Sequence, residues 1–116
     1  MTAEEDFARC QRMGEALPGV SLGTSYGTPA LRTKRRAFLR LNEAGQIVLM
    51  LGMDEKEMLM ATRPGAFFET DHYRGWPAVL VRPAALGDAE LAHWIARAWE
   101  GAASAREIRA RAEGGA

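Results

Sequence analysis

The sequence predicts an α+β domain: an antiparallel sheet of about five strands, helices packed on one face, and a helical segment at the C-terminal end. Three observations lead there. Segments of alternating or continuous apolar character, at residues 20–26, 37–41, 47–51 and 76–82, cluster in blocks instead of alternating singly with helices. Glycine-containing turns, Gly27-Thr28-Pro29 and Asn42-Glu43-Ala44-Gly45, join the first of them into an antiparallel meander. Leu91, Trp94, Ile95, Ala98 and Ala102 recur at helical spacing and form a strongly amphipathic helix that needs a sheet to cover.

The elements follow in order. Thr2 with Glu5 three residues on is a capping box, and Ala3, Phe7, Cys10, Gly14 and Leu17 fall on one helical stripe that Leu17-Pro18-Gly19 ends. Val20, Leu22, Thr24 and Tyr26 alternate with Ser21, Gly23 and Ser25, as in a strand with one buried face. After the Gly27-Thr28-Pro29 turn a short extended piece covers residues 30–33. Ala37, Leu39 and Leu41 then share one strand face, with Phe38 and Arg40 on the other. Residues 47–51 are a continuous apolar strand. Asp54 and Glu57 read as a second cap, opening a short helix that Arg63-Pro64-Gly65 stops. Phe67-Phe68 is a short strand or anchor, residues 71–75 a polar loop, and Pro77 places the start of the next strand at a sheet edge or bulge. Ser104 with Glu107 is a third capping box and opens an alanine- and arginine-rich tail, residues 104–116, expected to fray.

Composition bounds the function. A chain of 116 residues with 47% apolar content fits one core and one domain over residues 1–116. Fifteen acidic residues balance fifteen basic ones, so no long-range field draws the molecule to nucleic acid or an anionic membrane, and any electrostatic role rests on local asymmetry. Cys10 is the only cysteine and has no disulfide partner within the chain. Residues 1–6 are acidic, the opposite of a signal peptide, and no apolar run nears the roughly 18 residues that span a bilayer. The expectation is a cytoplasmic protein with no membrane partner.

Catalytic chemistry is thin. Only His72 and His93 offer the usual general base, and His93 sits on the outer face of the last amphipathic helix with Arg97. His72 lies in a loop beside Asp71 and Tyr73, but neighbours in an extended chain point apart, so Asp71 is not its orienting partner by adjacency alone. Cys10, Asp71, His72 and His93 share no ligand spacing, so no metal is expected, and no cofactor. Residues 23–27 have two glycines without the lysine, the third glycine or the following helix of a phosphate loop. Four of the six methionines fall between Met50 and Met60, where core is the usual use and an adaptable surface the other. The expectation is a protein that is not an enzyme.

Two groups of residues suit binding. Arg32, Lys34, Arg35, Arg36 and Arg40 are five cations within nine residues around a turn, no acidic residue occurs over residues 21–42, and Phe38 adds an aromatic to the patch. Phosphate contacts with an adjacent stacking ring suit nucleic acid, whereas the plain alternative is a charged hairpin that keeps a sheet edge soluble. The second group is Tyr26, His72, Tyr73, Arg74 and Trp76, either a rim of the core or a groove for a small anionic ligand or a protein.

Three stretches carry a resemblance: residues 23–31, residues 36–41, and above all Thr70-Asp71-His72-Tyr73-Arg74-Gly75-Trp76-Pro77 running into the strand through Arg82. Over about residues 5–101 the chain resembles the MmcQ/YjbR family of small bacterial proteins. The resemblance implies an antiparallel sheet with flanking helices, and it implies DNA binding, a label the family carries for two protruding hairpins likened to wings. On that implication Arg32, Lys34, Arg35, Arg36, Phe38 and Arg40 would form a phosphate-contacting wing, with weak, salt-sensitive affinity. The family usually has a lysine before the aromatic of the second stretch, where this chain has Arg36 in a longer basic run.

Overall fold

The computed structural model describes residues 2–114. Along the chain stand α1 (Ala3–Glu15), β1 (Ser21–Ser25), β2 (Thr28–Arg32), β3 (Ala37–Leu41), β4 (Ile47–Met50), α2 (Met53–Thr62), β5 (Phe67–Phe68), β6 (Ala78–Val81), α3 (Asp88–Ala102) and α4 (Ala105–Gly114). The six strands form one sheet in the order β1-β2-β3-β4-β6-β5, every neighbouring pair antiparallel. The predicted α+β class and its C-terminal helix are present. The sixth strand is the two-residue β5, too short to be separated from a loop by periodicity.

Helix ends show which local signals operate. Thr2 and Glu5 bond reciprocally at the start of α1, and Ser104 and Glu107 do so before α4. The expected cap at Asp54 is not used: the N-cap lies two residues earlier, at Gly52, whose lack of a side chain leaves the cap without a side-chain bond. Phe7, Cys10 and Gly14 turn inward on α1, and a Cβ at Gly14 would lie 2.5 Å from Leu31 Cδ1, so a larger residue there would require the Leu31 side chain to shift.

α1 and α3 cover one sheet face. Beneath them Leu31, Phe38, Leu39, Ile47, Leu49, Val79 and Val81 join Leu91, Ile95 and Trp99 in the main core. Trp99 donates its indole N–H to Pro18 O at 2.9 Å, so the largest core side chain leaves no polar atom unpaired. Arg9 ties α1 to the entry of α3, bonding Pro83 O, Leu86 O and Asp88. A smaller cluster of Val48, Ala78, Leu80 and Tyr73, with Phe68 against it, buries part of the opposite face under the loop that precedes β6.

Burial of Cys10 raises its thiol from an ordinary 9.0 to about 12, Arg9 opposing and Asp6 reinforcing the shift. Below pH 9 the thiol is protonated in both states and contributes nothing. Above it the unfolded chain loses a proton that the folded chain keeps, so stability falls with rising pH until about 12, by roughly 1.4 kcal/mol per pH unit. Urea unfolding at pH 8 to 11 should therefore give a steeper alkaline loss for the wild type than for Cys10→Ala. The native thiol should also resist a disulfide reagent at pH 8; equal slopes or rapid labelling would contradict the assignment.

Candidate functional site

The groove lies on the sheet face away from α1 and α3. It encloses about 660 Å³ and is lined by Tyr26, Arg40, Val48, Met50, Tyr73 and Trp76 among others. That size and its largely apolar wall with a few polar groups suit a small ligand.

Strand alternation delivers the floor. Arg40 pairs with Val48 on β4 and Ala30 on β2, so these three share the groove face while Leu39 and Leu49 face the helices. Arg40 is half-buried and donates to Thr28 Oγ1 at 3.1 Å and to the Tyr73 hydroxyl at 3.0 Å, and its guanidinium lies 5.2 Å from the centre of the Tyr26 ring. Among the described residues neither Arg40 nor Arg36, which also lines the groove, has a carboxylate partner. Among the described residues Glu43 is the only carboxylate in the lining, and it is exposed.

The lip comes from two unusual aromatics. β1 and β2 are joined by the two residues Tyr26 and Gly27, with φ of 55° and 80°, so the turn begins before the expected Gly27-Thr28-Pro29 and Thr28 already pairs with Ser25. Two successive positive φ angles match the twist of a tight hairpin, and glycine fills the second without strain. Tyrosine at the first costs about 1–2 kcal/mol. Its side chain is 86% exposed, so no burial offsets that strain. Trp76 is 63% exposed, which removes it from the core, where aromatics of this region are expected by default. Met50, Met53 and Met58 are exposed as well, so the methionine cluster is mostly surface.

The loop before β6 supplies His72, Tyr73 and Trp76, and its anchor is a residue that the sequence reading missed. Lys56 of α2 is fully buried; its ammonium donates to Tyr73 O at 2.7 Å and Trp76 O at 2.8 Å. Glu69 Oε2 sits 3.1 Å away, off the axis of a hydrogen bond, and balances the charge as an ion pair. The one sequence signal was position: Lys56 and Leu59 lie three apart and are the buried residues of α2, so the lysine occupies the apolar stripe. His72 is exposed and packs edge-on to Tyr73. Arg74 pairs with Asp71 at 2.7 Å and is not in the groove lining, so it drops from the predicted group, and Asp71 is engaged away from His72.

The basic run divides between the end of α3 and the groove, with Arg36 touching both. Thr33 Oγ1 donates to Ala102 O at 2.7 Å, Arg35 to Ala103 O at 2.9 Å and Arg36 to Gly101 O at 2.5 Å, so the turn closes the C-terminal end of α3, where unpaired carbonyls and the helix dipole favour cations. Arg40 belongs to the groove, Arg32 lies across Gly23, and Lys34 is exposed. Phe38 corrects the expected strand faces. Arg32 pairs with Ala37 and Leu31 with Leu39, leaving Phe38 as the extra residue of a bulge; the bulge turns Phe38 to the helix side together with Leu39, and both are buried. An aromatic inside the basic patch is therefore absent.

The sequence pattern of the YjbR family matches residues 15–101. The uncharacterized proteins Mb2600 of Mycobacterium bovis and Rv2570 of Mycobacterium tuberculosis are each 36% identical over 80 residues, covering 65% of this chain. The match spans 62% of the length of these relatives. No solved structure matches the chain. No described helix is long and apolar enough to cross a membrane.

Proposed function

The chain belongs to the YjbR family, and from that premise and the groove's geometry we propose that it is a binding module without a chemical step, holding a small organic anion with an apolar or aromatic body. The observation that carries this is Arg40. A guanidinium has five N–H donors, and two here fix its plane against Thr28 and Tyr73, leaving the remainder without a protein anion in a largely apolar groove. A carboxylate or phosphate answers that fork in bidentate fashion, while the exposed rings of Tyr26 and Trp76 offer surface to the ligand's body. A role without turnover is supported by the employment of the polar groups: Asp71 accepts from Arg74 instead of orienting His72, and Cys10 keeps its proton in the core.

Titration of aryl carboxylates and aryl phosphates, followed by tryptophan fluorescence and amide chemical shifts, tests the proposal. Saturable binding is expected for at least one anion and not for its neutral amide analogue. Arg40→Ala should weaken it about 10- to 100-fold, the worth of a charge-assisted hydrogen-bonded pair. No shift at millimolar anion, or equal affinity in the variant, would overturn it.

DNA binding by the basic hairpin is the second reading, supported by exposed Lys34 beside Arg32 and the acid-free residues 21–42. Two phosphate contacts, from Arg32 and Lys34, would give a log affinity against log salt slope near −2. Since Arg35 and Arg36 close α3, the informative variant is Arg32→Ala with Lys34→Ala. Anisotropy of labelled duplex at several salt concentrations should show a flatter slope in the variant; no wild-type binding at about 50 mM salt ends this reading.

A further inference from the structure

One residue of the groove holds a backbone conformation that its side chain disfavours. Among the described residues Tyr26 is the only one other than glycine with a positive φ, and it occupies the first of the two turn positions between β1 and β2. Turns of this kind select glycine, asparagine and aspartate, because glycine has no Cβ and the short polar side chains bond locally. Nothing in the fold calls for a ring at that place. The side chain is exposed, and a Cβ built on the neighbouring Gly27 would meet open space, so no packed neighbour imposes tyrosine on the turn. The Arg40 guanidinium does lie 5.2 Å from the ring centre, but an exposed cation–π contact is worth less than the strain it would have to offset.

The same turn is tied to the anion-binding side chain. Thr28 Oγ1 donates to Ser25 O at 2.9 Å and accepts from Arg40 at 3.1 Å, so the residues on either side of Tyr26 and Gly27 are joined to each other and to the guanidinium. Ser25 and Tyr26 both stand in the groove lining. Strain kept at an exposed residue that borders a cavity, with no return in stability, points to a binding role.

We propose that Tyr26 is the specificity-determining residue of the groove, selecting an anion with a flat aromatic body over one of equal charge with a saturated body. This role rests on the groove's being a site for organic anions. With the anionic group on Arg40, the body of the ligand lies beside the ring that stands next to that guanidinium. An aromatic face gains from offset or edge-on contact with tyrosine beyond the apolar area it buries, and a puckered saturated ring does not. Trp76, exposed in the same lining, offers a second such surface. Burial of area alone favours the opposite order, since a saturated body on the same carbon skeleton has the larger apolar surface.

The experiment titrates naphthoate and its fully saturated analogue, decahydronaphthoate, into the wild type, Tyr26→Asn, Tyr26→Phe and Arg40→Ala. Amide chemical shifts follow binding, and thermal unfolding is measured on each protein alone. The wild type should prefer naphthoate. Tyr26→Asn should weaken naphthoate about 2- to 10-fold, the worth of one aromatic pair, and leave the saturated anion nearly unchanged. It should also raise the thermal midpoint by a few degrees, because Asn-Gly is the favoured pair for this turn. Tyr26→Phe should keep the preference, and Arg40→Ala should weaken both anions alike. A wild type that binds the two anions equally, or a Tyr26→Asn variant with an unchanged preference or a midpoint that fails to rise, would overturn the role of Tyr26 and leave the anion site standing. A wild type that binds neither anion would overturn the anion site and this role with it.

Discussion

Replacing Lys56 by Met should lower the unfolding free energy by about 3–5 kcal/mol, the loss typical of breaking a buried, hydrogen-bonded charge pair. Methionine matches the stem of the lysine and keeps the packing against α2. It leaves Tyr73 O and Trp76 O without their donor and Glu69 without its counter-charge. Each buried acceptor left unpaired costs about 1–3 kcal/mol. Thermal and urea unfolding by circular dichroism would read the loss, and adding Glu69→Gln should recover part of it by removing the stranded carboxylate. The damage should centre on the loop: the amides of residues 70–77 should exchange faster, while those of β3 and β4 shift only with global stability. A loss under about 1 kcal/mol would mean that water or a rearranged loop replaces the ammonium, and that Lys56 does not hold the groove wall.

Phe38→Ala and Trp76→Ala should differ sharply although both delete a large aromatic ring. Phe38 is fully buried in the main core, so its truncation should cost about 3–5 kcal/mol in transfer free energy and residual cavity. Trp76 is largely exposed, so its truncation should cost under about 1 kcal/mol, the usual range for surface positions. Its effect should appear in the anion titration instead, as weakened binding. Reversal of the two stabilities would put Phe38 on the surface and restore an aromatic to the basic hairpin. A Trp76→Ala loss of several kcal/mol with unchanged binding would return that ring to the core.

What the sequence determined by itself is what depends on near neighbours and on periodicity. The reciprocal bonds of Thr2 with Glu5 and Ser104 with Glu107 span three residues and need no tertiary partner. The apolar stripe of α3 and the continuous run of β4 followed from spacing, and together with the clustering of strands they gave an antiparallel α+β domain. Three of the groove's residues, Tyr26, Tyr73 and Trp76, were legible as an aromatic group, as was His72 beside them.

What the tertiary structure decided is where a residue's partner lies far along the chain. The basic run was read by charge, but Arg35 and Arg36 bond carbonyls at Ala103 and Gly101, more than sixty positions away, so cations that looked free are occupied at a helix end. Phe38 was placed by strict alternation, and one extra residue opposite β2 inverted its face, an event that periodicity cannot register because it arises in the pairing of two strands. Arg40 was grouped with the other cations by proximity, yet the pleat sends it to the opposite side of the sheet from Leu39 and into contact with Tyr73. Lys56 stood among Asp54, Glu55 and Glu57 like one more solvated charge; only the fold of residues 69–76 over it, with two backbone carbonyls and a carboxylate to satisfy its ammonium, makes its burial affordable.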